Sequence, residues 1–353
     1  MVEYKRGNLL EADAEALVNT VNCVGVMGKG IALQFKQAFP KNYEEYRKVC
    51  KAEQLEPGQM LVHRTGLFGN PRFIINFPTK KHWRGKSRIE DVRSGLDALI
   101  DTVQRLEIKS IAVPPLGCGY GGLRWTEVRP LIEEAFRSLP EVRVLVFEPA
   151  GAPRPAERPV RTTKPHLTRA RALYLLVMAH YAAIDFKRTL LEIQKLAYFM
   201  QCAGEPLRLQ FKAGPYGPYA DNLNKVLETL EGHYTTGYEG SRKPDREIEL
   251  RPGATDEARG FLGSDPDAEH VMGRVSKLID GFETPYGMEL LATVHWVATQ
   301  GERPATDVET ATQHVQQWNT RKQRLFTPPH VEAAWRRLLD EGWLPGTVTA
   351  AHR

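Results

Sequence analysis

Short apolar runs alternate with amphipathic stretches through the first 148 residues of the chain. Five of these runs are bounded by glycine, proline or charged residues, as buried strands are. They lie at 16–18, 60–62, 73–77, 111–113 and 142–147. Between them, apolar residues recur at helical spacing, as Val92, Leu96, Leu99 and Val103 do. This alternation predicts a three-layer α/β/α domain with a largely parallel or mixed central sheet.

Residues 166–353 have a mainly helical pattern of apolar positions. Helix faces run through 173–180 and 190–200, and short extended segments are predicted at 207–211 and 247–250. Further helices are predicted near 218–231, 266–281, 287–300, 307–319 and 329–341. We expect the Gly217-Pro218 pair to form a rigid turn that opens a helix from Tyr219.

A proline-rich segment separates the two patterns. Residues 149–165 hold five prolines and one large aliphatic residue, which suits an extended, semi-rigid linker. The sequence therefore predicts an α/β domain at 1–148, a linker at 149–165 and a helical domain at 166–353.

Composition indicates a soluble protein of two domains. The chain has 353 residues, of which 42% are hydrophobic and 26% charged. No apolar run approaches the roughly 20 residues that cross a bilayer, and the first residues lack the apolar core of a signal peptide. The four cysteines are scattered without metal-ligand spacing, which favours a reducing compartment and no metal site. We therefore expect a cytoplasmic protein without membrane contact.

The net charge of +5 is uneven along the chain. Residues 1–148 carry +4, residues 149–165 carry +3, and residues 166–353 carry −2. A basic first half suits a polyanionic substrate, although ordinary scatter of surface charge accounts for it equally well.

Two glycine-rich stretches, at 26–32 and 115–123, each follow an apolar run and precede an amphipathic helix. Glycines there let backbone amides approach an anion closely, and a helix N-terminus favours negative charge. Two such loops on one small domain suit a nucleotide diphosphate held from both sides. Neither loop has Walker A spacing or a dinucleotide-type fingerprint, which disfavours kinases, ATPases and dehydrogenases.

The amino-acid sequence of these stretches and of the segments before them resembles that of the macrodomain family, which binds ADP-ribose. The matching segments are Gly7-Asn8-Leu9-Leu10, Ala16–Asn22, Gly28–Ala32 and Gly117–Leu123. The resemblance covers about residues 1–148. It implies that the diphosphate lies between the loops, that Asn22 reaches the distal ribose and that Asn8 and Leu9 meet adenine. Asn8 stands where the family usually has aspartate. The resemblance assigns to ADP-ribose the residues Asn8, Leu9, Thr20, Gly28, Lys29, Gly30, Ile31, Ala32, Gly117, Cys118, Gly119, Tyr120, Gly121, Gly122 and Leu123.

A basic segment, Phe77–Arg84, directly follows a predicted strand. It resembles the terminal ADP-ribose protein glycohydrolase branch of macrodomains, in which the first lysine after such a strand attacks the anomeric carbon. That lysine corresponds to Lys80, which we predict to be essential, with Asn22 orienting the ribose. The branch has an aspartate in its second loop, where this chain has Gly121. The acid/base partner is therefore missing or supplied elsewhere.

The basic segment also contains an aromatic residue. Lys81, His82, Trp83 and Arg84 combine cations with an indole, which suits single-stranded DNA because phosphates meet cations while a base stacks. A solvated loop is the alternative.

The helical domain resembles the antitoxin-associated domain that pairs with bacterial toxins. The resemblance rests on residues 191–199, 204–207 and 211–219, which contain a KLxY helix and a Y-G-P turn. A macrodomain, a linker and this domain together resemble the antitoxins of DarT/DarG toxin–antitoxin systems, whose DarT toxin ADP-ribosylates thymidine in single-stranded DNA. The resemblance implies that the first domain hydrolyses this modification and releases ADP-ribose, and that the second binds DarT. It implies no cofactor and no metal.

Three other functions stay open from the sequence. The first is an ADP-ribose reader without catalysis, and the second is a toxin-binding protein with a vestigial macrodomain. A deacylase acting on O-acetyl-ADP-ribose is the third. The sequence does not indicate an oligomeric state.

Overall fold

A computed structural model describes residues 1–66, 68–150, 154, 158–181, 188–300 and 303–344. Residues 151–153 and 155–157 of the predicted linker lie outside the described residues, as do 345–353 of the predicted helical domain. The chain divides into two compact units, Met1–Lys164 and Pro165–Arg353. None of the described helices is both long and apolar enough to cross a membrane.

The first unit alternates strands and helices in the predicted manner. Its elements are β1 (Val2–Lys5), β2 (Ala16–Asn22), α1 (Gly30–Ala38), α2 (Pro40–Lys51), β3 (Leu61–Arg64), β4 (Phe73–Lys80), α3 (Ile89–Arg105), β5 (Ser110–Val113), α4 (Trp125–Phe136) and β6 (Arg143–Phe147). The five predicted strands are confirmed, and β1 is an addition. β1 holds only two apolar residues, Val2 and Tyr4, so no buried run marks it.

Within the described residues, the strands of this unit form one mixed sheet in the order β1-β6-β5-β2-β4-β3. Every neighbouring pair is parallel except β3 with β4, which is antiparallel. The predicted mixed sheet is therefore confirmed.

Helices cover both faces of the sheet. Val18 and Phe77 pack with Val92 of α3 and Val128 of α4 in one apolar cluster. Leu17, next along β2, belongs to a second cluster with residues of α1. Because successive side chains of a strand point to opposite faces, the two clusters lie on opposite sides of the sheet. The predicted three layers are confirmed.

Close packing over β4 requires a glycine in α3. A Cβ added to Gly95 would lie 2.3 Å from Cζ of Phe77. We expect Gly95→Ala to destabilise the chain by about 1–3 kcal/mol, because buried Phe77 has to move. Gly260→Ala is the matched control, since Gly260 is helical and its Cβ would meet no atom within 4 Å. Denaturant unfolding measures both variants; a Gly95→Ala variant as stable as the control would contradict the packing argument.

The second unit is mainly helical. Its elements are α5 (Arg169–Tyr181), α6 (Leu190–Cys202), β7 (Phe211–Gly214), β8 (Gly217–Ala220), α7 (Leu223–Leu230), β9 (Thr235–Thr236), β10 (Glu249–Leu250), α8 (Ala254–Leu262), α9 (Pro266–Ile279), α10 (Pro285–Thr299), α11 (Val308–Trp318), α12 (Thr320–Leu325) and α13 (Pro328–Asp340). The helices predicted near 266–281, 287–300, 307–319 and 329–341 are confirmed, and α8 and α12 are additions.

The helix predicted at 218–231 is wrong in its first residues. Gly217–Ala220 pair with Phe211–Gly214 as an antiparallel hairpin, and the helix begins only at Leu223. The Pro218 carbonyl accepts a hydrogen bond of 2.7 Å from Nζ of buried Lys195 in α6. Strand pairing and this contact with a residue distant in sequence accompany the extended form, and local helical spacing reveals neither.

Candidate functional site

Three neighbouring parallel strands end at one edge of the sheet of the first unit. Asn22 at the end of β2 is the register partner of Lys80 at the end of β4, and β5 runs along the other side of β2. The two glycine-rich stretches follow β2 and β5. The topology thus brings both loops and the predicted lysine to the same edge, where open α/β sheets bind ligands.

The first glycine-rich loop leads into helix α1, which begins at Gly30. Gly30 has a φ of +56°, which an L side chain rarely adopts. The Leu33 amide bonds the Lys29 carbonyl oxygen, so the amides of Gly30, Ile31 and Ala32 precede the first bond within the helix. Among the described residues these three amides donate to no backbone carbonyl, and amides at a helix N-terminus suit one phosphate group.

Asn22 organises this first loop. Its Oδ1 accepts from the amides of Val24 (3.0 Å) and Val26 (3.4 Å), and its Nδ2 donates to the Val26 carbonyl oxygen at 2.6 Å. The Tyr46 hydroxyl lies 3.1 Å from the same Oδ1 and 2.7 Å from the Asn22 carbonyl oxygen. Asn22 is only 5% exposed. Its role as a ribose ligand therefore stays a prediction, while its bonds to the loop are a structural fact.

The second loop is packed too tightly for a side chain at Gly121. A Cβ added there would lie 2.3 Å from both the Gly117 carbonyl oxygen and Oγ of Ser87. The Ser87 amide also donates to the Gly121 carbonyl oxygen at 3.0 Å. Ser87 thus occupies the space in which an aspartate side chain would begin. The second loop of this chain therefore has no space at position 121 for the aspartate that the terminal ADP-ribose protein glycohydrolase branch has in this loop.

The second loop also presents backbone amides. The amides of Cys118, Gly122 and Leu123 are used in turns within the loop. Within the described residues, those of Gly119, Tyr120 and Gly121 donate to no backbone carbonyl. The loop therefore offers donors to an anion while its own turns hold it in shape.

Tyr120 joins the two loops. A Cβ added to Gly30 would lie 3.4 Å from the Tyr120 ring, and Nζ of Lys29 lies 5.5 Å from the ring centroid. The Tyr120 side chain is nevertheless 63% exposed. The structure thus brings the predicted loop residues together around an accessible aromatic ring.

Lys80 is half-buried between the second loop and the turn at residues 81–86, which follows β4. Its Nζ donates to the carbonyl oxygens of Trp83 (3.3 Å), Gly85 (3.2 Å) and Tyr120 (3.4 Å). Burial, with the cation of Lys29 as the next cause, lowers the pKa of Lys80 below its ordinary value. Both causes disfavour the ammonium form.

The Lys29 contribution predicts the direction of a titration shift. Replacing Lys29 with glutamine removes a positive charge that disfavours the Lys80 ammonium, so we expect the pKa of Lys80 to rise towards its ordinary value. The pH dependence of the Lys80 Cε chemical shift, followed by NMR, measures this. Lys36→Gln, on the same helix α1, is the control. An unchanged Lys80 titration in Lys29→Gln would contradict the coupling.

The predicted adenine contacts lie at a turn after β1. Leu9 is buried, and Oδ1 of Asn8 accepts from the Leu10 amide at 3.1 Å. Nδ2 of Asn8 is buried without a hydrogen-bond partner among the described residues. A buried donor without an acceptor is costly, so this atom suits a ligand acceptor. Thr20 lies within β2 opposite Phe77 of β4.

The predicted DNA contacts are exposed in the turn after β4. Residues 81–86 are all exposed, and Trp83 keeps 40% of its surface accessible. The Arg84 guanidinium lies 4.6 Å from the Trp83 ring centroid, and the His82 ring lies 5.4 Å away. Lys81 pairs with Glu56 at 3.1 Å. The turn therefore offers an accessible indole with cations around it.

Two residues that shape this edge of the sheet were not predicted from the sequence. Tyr46 lies at an apolar position of α2 and resembles any core residue, and Ser87 lies in a polar stretch. Their roles depend on contacts with Asn22 and Gly121, which are distant in sequence. No local signal marks either residue.

The fold and the paired loops at this edge define a macrodomain. The family model described as Macro domain matches residues 18–132, which include both loops and Lys80.

Relatives extend the similarity beyond this domain. A "DNA ADP-ribosyl glycohydrolase" of Thermus aquaticus is 49% identical over 345 residues, covering 98% of this chain and 94% of that protein. A protein of the same name from Mycobacterium tuberculosis is 41% identical over 356 residues, covering 96% of this chain and 99% of the other. A Thermosipho africanus "DNA ADP-ribosyl transferase-DNA ADP-ribosyl glycohydrolase fusion protein" is 34% identical over 158 residues, 40% of each chain. The chain belongs to the DNA ADP-ribosyl glycohydrolase family.

Proposed function

We propose that this chain is an antitoxin that removes ADP-ribose from thymidine bases of single-stranded DNA and that also binds and blocks the DarT toxin. The observation that carries the hydrolase part is the position of Lys80. Lys80 lies at the end of β4, and its Nζ donates a hydrogen bond to the Tyr120 carbonyl oxygen of the second loop. Its partner in the β2–β4 register is Asn22, whose side chain bonds the backbone of the first loop. The names of the two relatives that span nearly the whole chain support the same activity.

In this proposal the two loops grip the diphosphate of ADP-ribose. The amides at the start of α1 serve one phosphate, and those of Gly119, Tyr120 and Gly121 serve the other. Nδ2 of Asn8 donates to the adenine ring. The chemical step breaks the bond between C1 of the distal ribose and the base nitrogen. Over the whole reaction, water supplies the hydroxyl at C1 and the base gains a proton.

In this scheme the uncharged amine of Lys80 attacks C1 and forms a C1–Nζ bond as the bond between C1 and the base nitrogen breaks, and the base takes up the proton lost by the amine. Water then displaces the amine at C1, which leaves the hydroxyl on the sugar and restores Lys80. The lowered pKa of Lys80 and its position suit an amine beside the sugar. Gly121 leaves the second loop without a carboxylate, so proton transfer falls to water or to the DNA. Asn22 keeps the first loop in shape and thereby places the distal ribose. The turn at Lys81, His82, Trp83 and Arg84 holds the DNA strand through its cations and the indole.

Residues 1–148 carry the hydrolysis in this proposal, and residues 166–353 bind the toxin. The fusion protein of Thermosipho africanus supports the pairing, since its name joins a transferase to a glycohydrolase. The chain acts in the cytoplasm, where its DNA substrate is. An oligonucleotide carrying ADP-ribose on thymidine tests the hydrolase: the wild-type chain is expected to release free ADP-ribose and leave unmodified DNA.

Toxin blocking is expected to survive loss of the chemistry. The full chain with Lys80→Ala should still prevent DarT from labelling an unmodified oligonucleotide, because Lys80 lies outside the proposed toxin-binding unit. Incorporation of ADP-ribose into the oligonucleotide, measured with increasing antitoxin, reports this. If the variant protects the DNA no better than an unrelated protein, blocking by the second unit is wrong.

A further inference from the structure

A polar groove lies in the second unit where α11 meets α12. Its volume is about 460 Å³, within the range of small-molecule sites. Its walls carry amide or hydroxyl groups without a charged side chain. The lining residues are Gln313, Gln316, Gln317, Asn319, Thr320 and Gln323.

The glutamines of the groove have unused hydrogen-bonding groups. Within the described residues, Gln313, Gln316, Gln317 and Gln323 make no side-chain hydrogen bond. Each amide carries two donor hydrogens and an acceptor oxygen, the combination that pairs with base edges. Four such amides around one groove favour a ligand with many donors and acceptors.

The groove region is basic although its unit is not. No acidic residue occurs between Glu309 and Glu332, whereas residues 166–353 carry a net charge of −2. Arg324 is exposed and makes no ion pair within the described residues. Arg321 and buried Lys322 share a single carboxylate, Glu289, at 2.5 and 2.6 Å. The region therefore keeps an excess of positive charge.

An accessible aromatic ring adjoins the groove. Nδ2 of Asn319 donates to the Pro215 carbonyl oxygen at 3.0 Å, which holds the tip of the β7–β8 hairpin beside the groove. Tyr216 at that tip is 36% exposed, and the Arg321 guanidinium lies 4.9 Å from its ring centroid. The tip thus presents a ring with a cation against it.

We propose that this groove and the Tyr216 ring bind single-stranded nucleic acid. Arg321 and Arg324 meet phosphates, the glutamine amides meet base edges and Tyr216 stacks on a base, which are kinds of contact that single-strand recognition uses. An acidic polypeptide would use the cations but would leave the amides and the ring without a role. The proposal does not depend on the hydrolase, since unmodified strands suffice.

The test is fluorescence anisotropy with an unmodified oligothymidylate and the full chain. Lys81→Ala/His82→Ala/Trp83→Ala/Arg84→Ala serves as the background, so that the DNA contacts proposed for the turn of the first unit are removed. We expect Tyr216→Ala to weaken binding about fivefold or more. Arg324→Ala should reduce the slope of log affinity against log salt by about 0.7. Gln323→Glu, at an exposed position, should weaken binding without disturbing the fold.

Lys225→Ala is the matched control, because Lys225 is an exposed cation on α7 that does not line the groove. Oligouridylate and duplex DNA are the other arms, and tight binding of either single strand supports the proposal. Unchanged binding in all three variants, Tyr216→Ala, Arg324→Ala and Gln323→Glu, would overturn it. So would equal binding of duplex DNA, or displacement of the oligonucleotide by polyglutamate at matched charge, which would indicate an acidic protein ligand instead.

Discussion

Replacing Lys80 with alanine is expected to abolish hydrolysis and to leave ADP-ribose binding intact. The amine is lost from the edge where the two loops meet, and we expect kcat on an ADP-ribosylated oligonucleotide to fall at least about 100-fold. The three groups that bond Nζ are backbone carbonyl oxygens, which water can satisfy in the variant. The amides that grip the diphosphate remain, so calorimetry should give the wild-type affinity for free ADP-ribose.

Two further variants separate the possible roles of Lys80. Lys80→Arg keeps the charge but cannot supply a neutral amine, so it should be as inactive as the alanine variant if the amine acts on C1. Lys81→Ala removes the adjacent exposed lysine and should raise KM for DNA with little change in kcat. Full turnover by Lys80→Ala would reject the proposed chemistry, and loss of ADP-ribose binding would mean that Lys80 mainly shapes the site.

Introducing aspartate at Gly121 is expected to damage the site, although the related branch has an acid in this loop. The new Cβ would lie 2.3 Å from the Gly117 carbonyl oxygen, a backbone atom that cannot move alone. Overpacking of this kind costs about 1–3 kcal/mol, and the loop has to shift. Because its amides contact the diphosphate in our proposal, we expect affinity for ADP-ribose to fall about tenfold or more.

Gly119→Ala is the matched control for this variant. A Cβ at Gly119 meets no atom within 4 Å, so the loop should keep its shape and the chain its stability. Ser87→Gly combined with Gly121→Asp removes one of the two clashes and should recover part of the lost stability. Normal ADP-ribose binding together with faster turnover by Gly121→Asp would contradict this argument. It would show that the packing of the loop can accommodate an aspartate at position 121.

Much of the first unit was predictable because its pattern is local. Buried strands such as Phe73–Phe77 are continuous apolar runs, and the helix through Val92 and Leu99 has a clear apolar face. The hairpin at Gly217–Ala220 was not predicted, since the helical spacing of the region hides its pairing with Phe211–Gly214 and its hydrogen bond from Lys195. The position of Lys80 after a strand was visible, but its carbonyl partners were not.

The sequence by itself determined the layered α/β fold, the two glycine-rich loops and the lysine at the end of β4, because strand length, helical spacing and glycine position are encoded in neighbouring residues. Only the tertiary structure decided that Asn22 bonds the first loop and Tyr46, and that Ser87 closes the second loop against a side chain at Gly121. These features depend on atoms brought together from distant parts of the chain. Hydrogen-bond geometry and packing space exist only after folding, and no local pattern encodes them.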